Sequence, residues 1–142
     1  MSVDLIVYLR RASMPTPAAW KKAIQDARFP VVLDDDFDPD SFSGFLPCKH
    51  RGAVSGFEYF AGALSEADRA AAGAPVGSDF SVTLVTHSDL REFACSVAAA
   101  STLARASGGL LFDPQSGESF PPANVAAWAT EQFEEAERFS KD

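Results

Sequence analysis

The stretch from Ser78 to Pro114 limits the possible folds of this chain more than any other segment. Phe80, Val82 and Leu84 alternate with Ser81, Thr83 and Val85, the period-two pattern of a strand with one buried face. Asp89, with Glu92 three residues on, stands where a helix cap belongs, and Ser88 is the competing cap. Leu90, Phe93, Ala94, Val97, Ala98 and Leu103 then recur at helical spacing, with small side chains between them that permit close packing. Gly108-Gly109 stops this helix by supplying a left-handed end. Leu110-Leu111-Phe112 reads as a second strand, closed by the turn-forming Asp113-Pro114.

The flanking segments extend this strand–helix–strand unit. Val3, Leu5, Val7 and Leu9 form one face of an N-terminal strand whose other face is only half polar. Thr16-Pro17 opens a helix with a hydroxyl cap and a proline at the first helical position. Its apolar stripe is Trp20, Ala23, Ile24 and Ala27, and Pro30 closes it. Between Val31 and Leu64 the pattern weakens: a short strand at 31–33, a strand or turn at 42–46, and an extended segment around 52–64. In the last of these, Phe57 and Tyr59 fall on one face and Glu58 and Phe60 on the other. Residues 65–74 are Ala-rich, a helical turn or a loop. A final helix is expected from about Pro122 to Phe139, with Val125, Trp128, Ala129, Phe133, Ala136 and Phe139 as its stripe.

This order predicts a single α+β domain over residues 1–142, a ferredoxin-like split βαβ (β-α-β-β-α-β) followed by a C-terminal helix. Two helices would share one face of an antiparallel sheet, leaving the other face open or covered by the last helix. With 46% hydrophobic and 23% charged residues, the 142-residue chain has the composition and length to bury a core.

Net charge is −8, a field that repels phosphate backbones and anionic membranes, so neither nucleic acid nor membrane is an expected partner. A basic protein is favoured by the same field. The N-terminal apolar run precedes its basic pair Arg10-Arg11, the reverse of a secretory signal, and no apolar stretch has the length of a membrane span. A cytoplasmic protein with two free thiols is expected, since Cys48 and Cys95 show no metal-type spacing.

The run Asp34, Asp35, Asp36, Asp38 and Asp40 invites a calcium reading, which the EF-hand template does not support. Counted from Asp34, the glycine and glutamate positions hold Pro39 and Phe45; counted from Asp36, they hold Ser41 and Pro47. A solvated acidic loop able to meet a basic partner is the better reading, and no metal or cofactor is expected. His87 closes a strand before a helix start and could serve acid–base chemistry if folding brought Glu58 and Asp113 to it. A capping or turn role is the plainer assignment. Cys48 lies two residues from His50, beside Lys49 and Arg51, but a nucleophilic pair needs contact that this spacing does not supply; Cys95 reads as a small core residue. G-x-S-x-G, Walker, H-E-x-x-H and dinucleotide fingerprints are missing, and Gly108-Gly109 ends a helix instead of opening one.

Three segments together have a family look: Val3–Leu9 with Met14-Pro-Thr-Pro-Ala-Ala-Trp20; Phe42-Ser-Gly-Phe-Leu-Pro-Cys48 with Ser55-Gly-Phe-Glu-Tyr59; and Gly108-Gly-Leu-Leu-Phe-Asp-Pro-Gln-Ser-Gly117. They resemble a family of small uncharacterised bacterial proteins, some of which look like immunity partners of polymorphic toxins. The resemblance implies an inhibitor of a basic toxin and carries no catalytic residue.

The expectation is therefore a non-enzymatic protein-binding module, an immunity or regulatory partner of a basic protein. Asp35, Asp36, Asp38, Phe57, Glu58 and Tyr59 are its candidate binding residues. The alternative is a small enzyme or ligand-binding domain with a pocket at Glu58, His87 and Asp113. A homo-oligomer built through the exposed sheet face is the third reading.

Overall fold

The computed structural model describes residues 2–140. Seven strands are β1 (Val3–Leu9), β2 (Val31–Leu33), β3 (Gly44–His50), β4 (Ala53–Ala63), β5 (Phe80–Thr86), β6 (Leu110–Asp113) and β7 (Glu118–Phe120). Four α-helices are α1 (Pro17–Asp26), α2 (Glu66–Ala72), α3 (Leu90–Ser107) and α4 (Val125–Ser140). The fold is α+β, with every strand pair antiparallel in one sheet of order β2-β3-β4-β5-β1-β6-β7.

The sheet has more strands than the six-element ferredoxin-like order expected for the chain. The additional elements are those with the least local signal. β2 and β7 are three residues each, too short to display a period, and β7 had no counterpart in the sequence reading. β3 contains Pro47, which ordinarily argues against a paired strand. Here β2 stops with Leu33 opposite Cys48, so Pro47 falls just beyond the end of that pairing, where no ladder N–H is required on that side.

The local signals act as their chemistry predicts. Thr16 Oγ1 caps α1 by accepting from the Ala19 N–H, and Asp89 caps α3 by accepting from the N–H groups of Arg91 and Glu92. Gly108, at φ 70°, closes α3 in the left-handed conformation. Helix α3 is the structural centre. Every residue from Ala94 to Ala104 is buried, because α3 lies between the sheet, α1 and α4. Its alanines and serines let these neighbours approach closely, and Trp20 of α1 donates its indole N–H to the Ala99 carbonyl at 2.9 Å.

Leu5, Val7 and Leu9, Phe57 and Tyr59, Phe80, Val82 and Leu84 all face this helical layer. Helix α4 joins it from the same side: Phe133 packs on Phe29 and on His50 of β3, and Trp128 stacks on Phe120 of β7. The last helix therefore adds to the helical side and leaves the opposite face open around Phe45 and Phe60, although Tyr8 on that same face is buried. Of its expected stripe, Val125, Ala129, Phe133 and Ala136 are buried, while Phe139 at the C-terminal end is exposed.

Candidate protein-binding face

The uncovered face is built by strand alternation. Cross-strand registers place Phe45, Glu58, Val85 and Asp4 in one row, and Phe60, Thr83, Ile6 and Phe112 in the next. Phe60, on β4 in mid-sheet, is 43% exposed, and Phe45, on the part of β3 that β2 does not reach, is 49% exposed. Val54, near the tip of the β3–β4 hairpin, is 78% exposed. Large apolar side chains concentrated on one uncovered face mark a contact surface more than scattered exposure does. At the β2 edge this face runs into an open cleft of about 370 Å³, lined by Val32, Pro47, Lys49 and Val54 and by Lys21, Asp34, Asp35 and Cys48.

The expected binding residues divide between surface and core. Phe57 is 1% exposed and Tyr59 0%, so neither reaches a partner; alternation turns them to the helices. Tyr59 meets Phe37, Phe42 and Trp20 and donates its hydroxyl to the Pro39 carbonyl at 2.8 Å. Glu58 does lie on the open face. The exposed aromatics beside it are Phe45 and Phe60; alternation from Phe57 to Phe60 puts Phe60 on Glu58's side, outside the candidate set.

The acidic segment 34–40 is an ordered connection draped over that aromatic cluster. Asp34 Oδ1 accepts the Asp36 N–H and Asp38 Oδ1 accepts the Asp40 N–H, both at 3.0 Å, the short-range turns that Asp favours. Asp40 makes a two-pronged pair with Arg11, which holds its carboxyl below the ordinary aspartate range. Asp35 lies 3.7 Å from Lys21. Asp34, Asp36 and Asp38 make no ion pair among the described residues, so these three carry the least compensated charge of the run.

Glu58, His87 and Asp113 do not form one pocket. His87 Nε2 comes to 3.8 Å from Glu58 Oε1, both side chains roughly half exposed. Asp113 is in β6, separated from β5 by β1, hence about 10 Å away across the sheet. Its carboxylate is engaged by Gln115 and Ser116 in the β6–β7 turn.

A tighter polar cluster joins elements distant in sequence. His50 Nε2 meets Glu137 Oε2 at 2.8 Å, and Arg51 clasps the same carboxylate at 2.6 and 2.9 Å. Arg51 foremost, then His50, holds the Glu137 carboxyl below its ordinary range against the opposing effect of burial. Arg51 occupies the first turn position of the β3–β4 hairpin at φ 51°, a left-handed conformation that costs a non-glycine residue about 1 kcal/mol. Cys48 shares the inward face of β3 with His50 and is 3% exposed.

Among the described residues no group of three or more His, Cys, Asp or Glu is placed to hold a metal ion, and no helix is long and apolar enough to cross a membrane. Compared with protein-family models, curated proteins and solved structures, the chain matches none of them.

Proposed function

We propose that this protein is a non-enzymatic binding module that docks a basic protein on the open face of its sheet, as an immunity or regulatory partner would. The observation that carries this reading is the one-sided covering of the sheet. α1, α3 and α4 all pack on one side, and Phe45 and Phe60 stand roughly half exposed on the other. Aromatic side chains on a rigid sheet supply contact area with little ordering cost and serve as anchors, while acidic groups set direction and encounter rate. Glu58 stands among the apolar rows, and Asp34 and Asp35 line the cleft at the edge. With a net charge of −8, complementarity selects a cationic partner. We further read β1-α1-β4-β5-α3-β6, whose strands lie in the order β4-β5-β1-β6, as a ferredoxin-like split βαβ extended by β2-β3 and β7. That scaffold hosts many functions and does not by itself argue for this one.

The test is binding by purified components. Proteins of a bacterial extract retained by the wild type are identified, produced separately and titrated by calorimetry against wild type and Phe45→Ser/Phe60→Ser. A basic partner whose affinity falls about 100-fold in the double variant is the expected result. Replacing Asp35, Asp36 and Asp38 with Asn should slow association and flatten its salt dependence. Failure to retain any basic protein, or equal affinity for both forms, overturns the reading. Wild-type dimerisation at micromolar concentration that the double variant abolishes would assign the face to a second copy of the chain instead.

A further inference from the structure

Among the described residues, Arg28 and Arg51 alone adopt a positive φ without being glycine, at 69° and 51°. Arg28 follows the last turn of α1 and donates its N–H to the Gln25 carbonyl, at a place where the left-handed helix end normally falls to glycine or asparagine. Arg51 holds a left-handed position in the β3–β4 turn. Both line one cleft of about 280 Å³ between the end of α1 and α4. The strain at Arg51 is offset inside the molecule, because its guanidinium clasps Glu137. Arg28 has no such contact: its side chain makes no hydrogen bond or ion pair among the described residues. Strain that no internal contact offsets is the kind that gathers at binding sites.

The opposite wall mirrors this. Thr130, Glu134 and Glu137 line the cleft at helical spacing along α4. Glu137 is taken by Arg51 and His50. Glu134 is exposed and, like Arg28, pairs with nothing among the described residues. Arg28 and Glu134 thus present unlike charges to one cleft without closing on each other. Phe29 and Phe133, ring centroids 5.0 Å apart, give it an apolar wall.

We propose that this cleft binds a free α-amino acid with an apolar side chain. The α-carboxylate pairs with the planar fork of Arg28, and the α-ammonium with Glu134. The Thr130 hydroxyl, one turn before Glu134, supplies a further acceptor for the ammonium. The apolar side chain lies against Phe29. A simple anion would meet Glu134 as well as Arg28, and a simple cation would meet Arg28 as well as Glu134. Only a ligand carrying both charges uses both walls. The cleft is smaller than pockets that take drug-sized ligands, which suits a single amino acid. It lies on the helical side, away from Phe45 and Phe60, so this inference stands apart from the docking face.

The test is a titration of isotope-labelled protein with L-phenylalanine, followed by the amide signals in NMR spectra. Signals of residues 27–30, 51 and 130–137 should shift saturably, with a dissociation constant of about 1–10 mM. N-acetyl-L-phenylalanine lacks the ammonium and L-phenylalaninamide lacks the carboxylate; each should bind at least about tenfold more weakly. Arg28→Gln and Glu134→Gln, both exposed positions, should weaken L-phenylalanine binding to the same degree. Arg28→Gly should lose binding and also melt at higher temperature, since glycine adopts φ 69° without strain. The absence of saturable shifts up to about 50 mM ligand, shifts centred elsewhere, or equal binding of either masked analogue would overturn the proposal. A lower melting temperature for Arg28→Gly would do so too, by giving the Arg28 side chain a role in folding.

Discussion

The Phe45 ring lies directly over the bare backbone of Gly56, so close that a Cβ on Gly56 would come within 2.6 Å of the ring edge. The same Cβ would lie 2.5 Å from the Leu46 carbonyl oxygen, and the residue sits at φ 147°. Ring and glycine form one unit, with the aromatic covering backbone that a side chain would otherwise shield. Gly56→Ala must therefore shift backbone as well as displace the ring. A loss of at least about 2 kcal/mol is expected, read as a lower midpoint in urea unfolding. An unchanged midpoint would mean that Phe45 is free to move and that the face is less rigid than described.

A second prediction concerns the clasp that fastens α4 to the β3–β4 hairpin. Glu137 has its pKa depressed chiefly by Arg51 and secondarily by His50. A depressed carboxyl contributes stability that is complete above its unfolded pKa of about 4.3 and lost as pH falls through the lower folded value. Arg51 is largely exposed, so screening by water keeps the contribution to about 1 kcal/mol. Glu137→Gln should thus destabilise the protein at pH 7, and the gap to wild type should close as pH drops below about 4. Denaturant titrations of both proteins between pH 7 and pH 3 check this; a gap constant across that range would contradict it.

Tyr59 gives a third. Its buried hydroxyl holds the Pro39 carbonyl from beneath the acidic segment, and burial raises its pKa. Tyr59→Phe should cost about 1 kcal/mol while leaving the ring contacts with Phe37 and Phe42. The larger effect should be local. Amide exchange across residues 34–42 should accelerate more than exchange in β4 itself, because that segment loses the tether. Uniform acceleration would place the hydroxyl's role in global stability.

The relation of sequence to structure follows from the range of each interaction. The caps at Thr16 and Asp89, the stop at Gly108 and the alternation of β1 and β5 act over a few residues and were legible directly. Alternation also separated Phe57 and Tyr59 from Glu58 and Phe60, yet it could not say which face the helices would cover. Phe57 and Tyr59, candidates for the binding surface on sequence, belong to the core. The meeting of His50 with Glu137, like the burial of Cys48 and Cys95 in one core, depends on where α4 and α3 settle on the sheet. Nothing within a turn or a strand of these residues reports that placement. β7 was missed for a related reason: its three residues are ordered by pairing with Leu111, Phe112 and Asp113, not by any pattern of their own.

Thr86 supplies the last prediction. It ends β5 opposite Val3, is 1% exposed, and its Oγ1 has no hydrogen-bond partner among the described residues. A buried hydroxyl without a partner gives up its bond to water and gains nothing in exchange. Valine has nearly the same shape, keeps the β-branch that favours a strand, and has no polar atom to satisfy. Thr86→Val should therefore stabilise the fold by about 1 kcal/mol, raising the melting temperature by roughly 3 °C. Substitutions that remove buried groups usually lower stability, so the sign is the informative quantity. A drop in melting temperature would show that the Thr86 hydroxyl is bonded in solution, placing a polar contact at the end of β5.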